Sequence, residues 1–280
     1  MSNTAQGTNA LSSVTTGYSD SAFGGNALQL TTTGANNTAV GDNALQLNTD
    51  GNSNTAFGTV ALENNNGGAN TAVGVAAMQA NTTGGDNVAV GVSALAANID
   101  GGGNTALGVQ SQLGRTTGNH NVGCGSSSLF SNSSGSGNVC VGSSAGYTST
   151  TGSNNVIVGY NTGRGITTGS GNTILGAQVI NLPADLTSNI ILSDGNGNIK
   201  AQWDGASWSL SGNLKLTGAL DFSASGSYIL GNADHGVRIN DSADTKNIAI
   251  FLDDGRVRIP ALAGTGKRAL SVDANGYLCV

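Results

Sequence analysis

A glycine recurs at a 17-residue spacing from Gly7 to Gly176, and no other feature of this chain restricts its fold so tightly. The anchors are Gly7, Gly24, Gly41, Gly58, Gly74, Gly91, Gly108, Gly125, Gly142, Gly159 and Gly176, with one irregular step of 16 residues between Gly58 and Gly74. Four residues before each anchor stands Asn (Asn3, Asn37, Asn54, Asn70, Asn87, Asn104, Asn121, Asn138, Asn155, Asn172), replaced once by Asp20. A second glycine precedes each later anchor by seven residues, from Gly17 and Gly34 to Gly169. Recurrence this strict implies one supersecondary unit stacked on copies of itself.

Within a repeat the segment before the anchor alternates with a period of two. Val40, Phe57, Val73, Val90, Leu107, Val141, Val158 and Leu175 share one slot, while Ala39, Ala56, Ala72, Ala89 and Ala106 fill the adjacent, opposite-facing one. That pattern predicts a short strand buried on both faces. After the anchor, Ala27-Leu28, Ala44-Leu45, Ala61-Leu62 and Ala77-Met78 predict a second short strand, followed by an Asn/Thr/Asp/Gly turn. Ten intervals stacked at strand spacing would rise on the order of 48 Å, at ~4.8 Å per turn. The Asn column fits either a stacked amide ladder or a left-handed turn position. The missing residue of the 16-residue step falls near Leu62–Gly67, where an exposed loop would absorb it. A roll this thin leaves an apolar flank uncovered, which self-association would bury. From Gly125 onward the Ala column changes to Gly123, Cys140, Ile157 and Ile174, and the Leu column ends in Gly146 and Gly163. This predicts a taper of the solenoid.

Composition excludes several classes of function. The net charge is -6, and only Arg115 and Arg164 are basic within residues 1–176, so nucleic-acid binding is not expected. No apolar run approaches the roughly 20 residues of a membrane span, and the start carries no secretion-signal pattern. Cys124 and Cys140 fall in opposite-facing strand slots, so no bridge between them is expected; Cys279 is the third cysteine. No cofactor or metal motif is present. His120 precedes the Asn column and reads as an exposed loop residue, with a trimer-axis metal site as the sharper alternative. His235 has no partner at ligand spacing. Glu63 is the sole Glu, and Asp20, Asp42, Asp50, Asp86 and Asp100 occupy turn or cap slots, which offers no carboxylate pair for glycoside hydrolysis. Thr82-Thr83 and Thr116-Thr117 are adjacent rather than alternating, which disfavours a flat ice-binding array.

At Asp86-Asn87-Val88-Ala89-Val90-Gly91 and Asn154-Asn155-Val156-Ile157-Val158-Gly159 the repeat resembles the head repeat of trimeric autotransporter adhesins (YadA-like heads) and the Asn-Thr-Ala-Val-Gly arrays of phage and virus tail fibres. The resemblance covers residues 1–176. It implies an all-β fold, a β-solenoid in the form of a left-handed parallel β-roll, with three chains side by side as a homotrimer. The implied role is non-catalytic attachment, to a glycan or protein receptor on a host surface, with no nucleic acid, no membrane insertion and no cofactor. The 17-residue period exceeds the usual adhesin head repeat. The absence of an export signal, stalk and anchor favours a virion or other particle fibre, with a bacterial surface adhesin as the alternative.

Beyond Gly176 the composition shifts: eight of the ten Lys/Arg residues, both Pro and both Trp lie there. Residues 177–187 read as a connector and 188–280 as a hairpin region. Hairpins are expected around Asp194-Gly195-Asn196-Gly197, Asp204-Gly205, Asp253-Asp254-Gly255 and Asp273-Ala274-Asn275-Gly276. This antiparallel meander resembles the terminal regions of phage tail fibres, which implies an intertwined trimeric tip in the form of a triangular β-prism. Trp203 and Trp208 are candidates for sugar stacking, against the plainer role of packing inside a trimer.

Overall fold

The β-branched and small residues before each anchor glycine form short strands in the computed structural model, which describes residues 2–114 and 116–211 and, beyond them, strand segments 237–240, 247–251, 257–258, 271–272 and 278–279. Eleven such strands span three residues each: β1 (Thr4–Gln6), β2 (Ser21–Phe23), β3 (Thr38–Val40), β4 (Thr55–Phe57), β5 (Thr71–Val73), β6 (Val88–Val90), β7 (Thr105–Leu107), β8 (Val122–Cys124), β9 (Val139–Val141), β10 (Val156–Val158) and β11 (Thr173–Leu175). Each pairs in parallel with the next, in one sheet. The register repeats turn by turn, with Thr38 opposite Thr55, Ala39 opposite Ala56 and Val40 opposite Phe57. The protein is therefore an all-β solenoid, without helix among the described residues. The short repeat keeps the register, Thr55 facing Thr71, because Asn66 alone replaces the Thr49-Asp50 pair in the loop.

The anchor glycine makes the bend possible. Gly41 has φ +137°, a region nearly closed to residues with a side chain, and a Cβ there would lie 2.5 Å from the carbonyl oxygen of Gly58 in the next turn. The segment after the bend is not the expected second strand. Asn26 and Leu28 are left-handed, at φ 54° and 51°, and the same two positions are left-handed at Asn43 and Leu45. A strand would turn Ala27 and Leu28 to opposite faces, whereas both are fully buried. The backbone groups still pair along the stack. The Asn26 N–H donates to Thr8 O at 2.8 Å in the preceding turn, and the Leu28 N–H to Ala44 O at 3.0 Å in the following one.

Burial corrects a second expectation. The Ala column of the strands is fully buried, but the Val/Phe/Leu column on the other face is exposed in the single chain, Phe57 at 58%. Only one face of each strand packs against its own turn.

The core itself divides in two. One cluster stacks Ala22 to Ala106 with Leu28 to Leu95, and a second runs from Leu129 and Cys140 to Ile191. Between them lie buried polar groups. Ser111 and Ser128 share a hydrogen bond at 2.9 Å, and Gln112, in the Leu column, donates to Thr105 O at 2.8 Å. Beyond this seam the solenoid does not taper; its volume changes sides. Where the Leu column becomes Gly146 and Gly163, the opposite Ala column becomes Cys140 and Ile157. A Cβ on Gly146 would lie 2.6 Å from Cys140 Sγ, and one on Gly163 2.8 Å from the Ile157 side chain. The larger residue on one wall fills the space given up on the other.

The register runs one turn past the last anchor. β12 (Ile190–Ser193) pairs in parallel with β11, Ile174 opposite Ile191. Residues 177–187 thus complete a further turn. The expected hairpins come next, β12 with β13 (Ile199–Trp203) and β13 with β14 (Trp208–Leu210), all antiparallel. Contacts divide the chain into compact units at 1–214 and 215–280. In the second, β15 (Val237–Asn240), β16 (Asn247–Phe251) and β17 (Val257–Arg258) pair antiparallel, as do β18 (Ser271–Val272) and β19 (Leu278–Cys279). The turns between these strands, and His235, lie outside the described residues.

Replacing Gly41 with Ala should lower stability by at least about 2 kcal/mol, since a side chain meets both the backbone angle and the neighbouring turn. Gly195→Ala, where a Cβ would meet nothing within 4 Å, should leave the melting temperature within about 1 °C. Paired thermal melts followed by circular dichroism check both.

Candidate functional site

The Asn column is a ladder, not a turn position. The Asn54 backbone N–H donates to Asn37 Oδ1 at 3.0 Å, and Asn54 Nδ2 donates to the same oxygen at 3.2 Å and to Gly67 O at 2.9 Å. Asn37 Nδ2 donates likewise to Gly51 O at 2.9 Å, and the backbone N–H groups of Asn70 and Asn87 bond to the Oδ1 atoms of Asn54 and Asn70. Each amide therefore ties one strand start to the strand start of the neighbouring turn and to the loop glycine carbonyl. The left-handed positions are the residues just before, such as Asn36, Ser53, Ala69, Asp86 and His120.

A second buried ladder is absent from the sequence expectations. Asn48, Asn65, Asn81 and Asn98 are fully buried and donate to the carbonyls of Gly51, Gly67, Gly84 and Gly101 at 2.8–3.0 Å. Asn81 Nδ2 also donates to Asn65 Oδ1, and Asn98 Nδ2 to Asn81 Oδ1 at 2.6 Å. The sequence signal is there, an Asn two or three residues before the loop glycine, but such residues equally suit exposed turns. The two ladders grip the loop from both sides.

Asp20 is the flaw in the first ladder. Its Oδ1 accepts from the Asn37 backbone N–H at 2.8 Å and from Asn37 Nδ2 at 3.1 Å, but its buried Oδ2 has no partner. The register sets Gly34 O, another acceptor, where an Asn would donate. Burial pushes the carboxyl above its ordinary value of 3.8, opposed by the two bonds from Asn37.

The outward strand face is a row of exposed apolar side chains open to a partner. Phe23, Phe57, Val73, Val90, Leu107, Val141, Leu175 and Leu192 are all exposed and stand one above another at strand spacing. Trp203 pairs with Ile190 and with Trp208, which places both indoles on this face, their ring centroids 5.8 Å apart. The two Trp residues therefore lie on the same face as the apolar stripe but in the column of Thr173 and Ile190, while Ala201 and Leu210 continue the column of Leu192. Cys124 sits in the same outward column, while Cys140 is buried in the Ala column, where burial pushes its thiol up. Among the described residues no group of three or more His, Cys, Asp or Glu converges, and His120 is exposed beside Gly103. Asp194 and Asp204 instead brace hairpin turns. Bonds from Asn198 and Asn196 hold the Asp194 carboxyl well below the usual range, and the Ser207 and Ala206 N–H groups lower that of Asp204. No described helix is long and apolar enough to cross a membrane.

Comparison with family models, curated proteins and solved structures gives no match.

Asp20→Asn should restore the missing donor to Gly34 O and raise stability at pH 7 by about 1–3 kcal/mol. Because the folded-state pKa of Asp20 is raised, the wild-type chain is better off below about pH 3.8 and loses that stability as pH rises through the folded pKa. The advantage of the Asn variant should accordingly shrink on acidification. Melting temperatures of both chains across pH 3–8 check this.

Proposed function

We propose that the chain is a structural, non-catalytic fibre protein of a phage, virus or related particle, whose solenoid assembles as a homotrimer and serves attachment to a host-cell surface. The observation that supports this most is the apolar stripe from Phe23 to Leu192, continued by Leu210 and flanked on the same face by the two Trp residues. Monomeric soluble proteins rarely leave a contiguous apolar patch beyond a few hundred Å². A long, straight stripe on a rod fits copies of the same rod laid alongside, in register, and closed rotational symmetry ends the association at a defined number. The interior supports a mechanical role as well. It consists of small apolar residues and amide ladders, the buried Asp20 is spent on a ladder bond, and Asp194 and Asp204 are spent on turn bonds.

Light scattering should give about three times the chain mass of 27.5 kDa, and a mass near that of one chain sinks the proposal. Val90→Lys, on the outward face next to the buried Ala89, should dissociate the assembly without loss of β-structure. Cys124, in the same column, should resist maleimide in the wild type and react in that variant, as followed by peptide mass spectrometry. New reducing ends from capsular polysaccharide would overturn the non-catalytic part.

A further inference from the structure

One turn near the end of the solenoid breaks the pattern that every earlier turn obeys. In ordinary turns the N–H of the Leu-column residue bonds the following turn, as Leu28 does to Ala44 O. At the turn that carries Gly163 the donor is instead Arg164, one residue later, which bonds Val179 O at 3.3 Å, while Leu182 N–H returns to Arg164 O at 3.1 Å. Ile166 and Val179 fill the core there, and Ile180, at the position of a buried Leu elsewhere, is turned out to 45% exposure. The displacement opens a pocket of about 360 Å³ lined by Thr148, Asn161, Arg164, Gly165, Ile180 and Asn181.

Arg164 is held in place within it. Its guanidinium lies over the Tyr147 ring, 4.9 Å from the centroid, and Tyr147 is in turn stacked on Phe130 at 4.8 Å with the rings 7° from parallel. Arg164 Nη1 donates to Asn161 Oδ1 at 2.9 Å. A guanidinium has five N–H donors, so one bond leaves most of the fork free. Of the two cations whose side chains are described, Lys200 pairs with Asp194 at 3.2 Å, whereas Arg164 has no carboxylate partner among the described residues. Thr148 is already engaged, accepting from Gly165 N–H and donating to Ile166 O, both at 3.0 Å. Asn161 Nδ2 and the Asn181 amide make no hydrogen bond within the described residues, and both border the pocket.

We propose that this pocket binds a sugar unit bearing a carboxylate, a hexuronate, with Arg164 as the residue that selects the acid. The guanidinium fork accepts a carboxylate with two parallel bonds, which a planar, oriented arginine does better than a lysine. Asn161 and Asn181 supply amide groups for ring hydroxyls, and Ile180 supplies an apolar wall for the C–H face of the ring. The volume lies at the small end of ligand pockets, about 300–1,000 Å³, which suits one sugar unit. A net charge of -6 would otherwise disfavour an anion, so the unpaired cation is what makes the site selective. The biological sense of this site rests on the attachment role proposed above, but its chemistry can be tested without it.

The test is a titration of the full chain with sodium D-glucuronate, D-glucose and sodium sulfate at constant ionic strength, by calorimetry or ligand-observed NMR. Saturable glucuronate binding without detectable glucose binding is expected, and Arg164→Gln should weaken it at least about tenfold, the loss of a charge-assisted bond. Should that variant not fold, Asn181→Asp, which sets a like charge at an exposed rim position, should weaken binding by a similar factor. No saturation up to about 50 mM glucuronate, equal binding of glucose, or undiminished binding by Arg164→Gln would overturn the proposal. Sulfate competing as well as glucuronate would also overturn it, leaving a simple anion site. Failure here with the chain still trimeric and bound to cells would count against the pocket alone, and hexuronate binding by a monomer that adheres to nothing would count against the attachment role alone.

Discussion

From Asn37 to Asn155, each turn of this solenoid is tied by a side-chain amide that bonds to the turns on either side of it. A buried amide left unpaired costs free energy comparable to the net worth of one or more good hydrogen bonds, so a column of Asn is tolerable only when each member finds its neighbours. Stacking satisfies the strand-start column from Asn37 to Asn155 at once, and only in one register. Slipping by one residue would strand Asn54 away from Asn37 Oδ1 and from Gly67 O together. The ladder thus does for this protein what a large aromatic core does elsewhere, with aromatic residues at only 4% of the chain. Small Ala and Leu residues then have little to do except exclude water between amide rails.

The period, the strand before each anchor and the buried Ala column are legible in the sequence because they derive from spacing alone, whereas the loop at Leu62–Gly67, expected to be exposed, is exposed only at Asn66. The second segment was misjudged for a physical reason. Ala27 and Leu28 resemble two strand residues, yet alternate left-handed backbone angles let consecutive side chains both enter the core. The Asn just before them, left-handed at Asn26 and Asn43, carried a weak hint, since Asn tolerates that region better than most residues. The outward face shows the opposite limit. Its Val and Phe residues read as buried in the sequence, yet in the single chain most of them are exposed.

Much less of the site was legible. Trp203 and Trp208 read in the sequence as candidates for sugar stacking or trimer packing, and pairing across β13 and β14 brings them together on the outward face beside Ile190. Arg164 did not stand out, because its setting depends on Tyr147, 17 residues earlier, and on the outward turn of Ile180, 16 residues later. Only the stacked register brings these together. In such a fold, neighbours on the surface are separated by one period in sequence, so a site is written down a column and is hidden when the chain is read along a row.

The seam at Ser111, Gln112 and Gly123 has a consequence for how such a chain can change its length. On one side the bulk stands on the post-glycine wall, from Leu28 to Leu95; on the other it passes, after Leu129, to the strand wall as Cys140, Ile157, Ile174 and Ile191. A turn copied within the first half meets a neighbour with the same division of volume, Ala on the strand wall and Leu or Met behind the glycine. A turn transplanted across the seam sets Ile against Leu, or Gly against Ala, and creates a collision or a hole. A turn gained or lost in the first half therefore keeps the packing of its neighbours, whereas one exchanged across the seam does not.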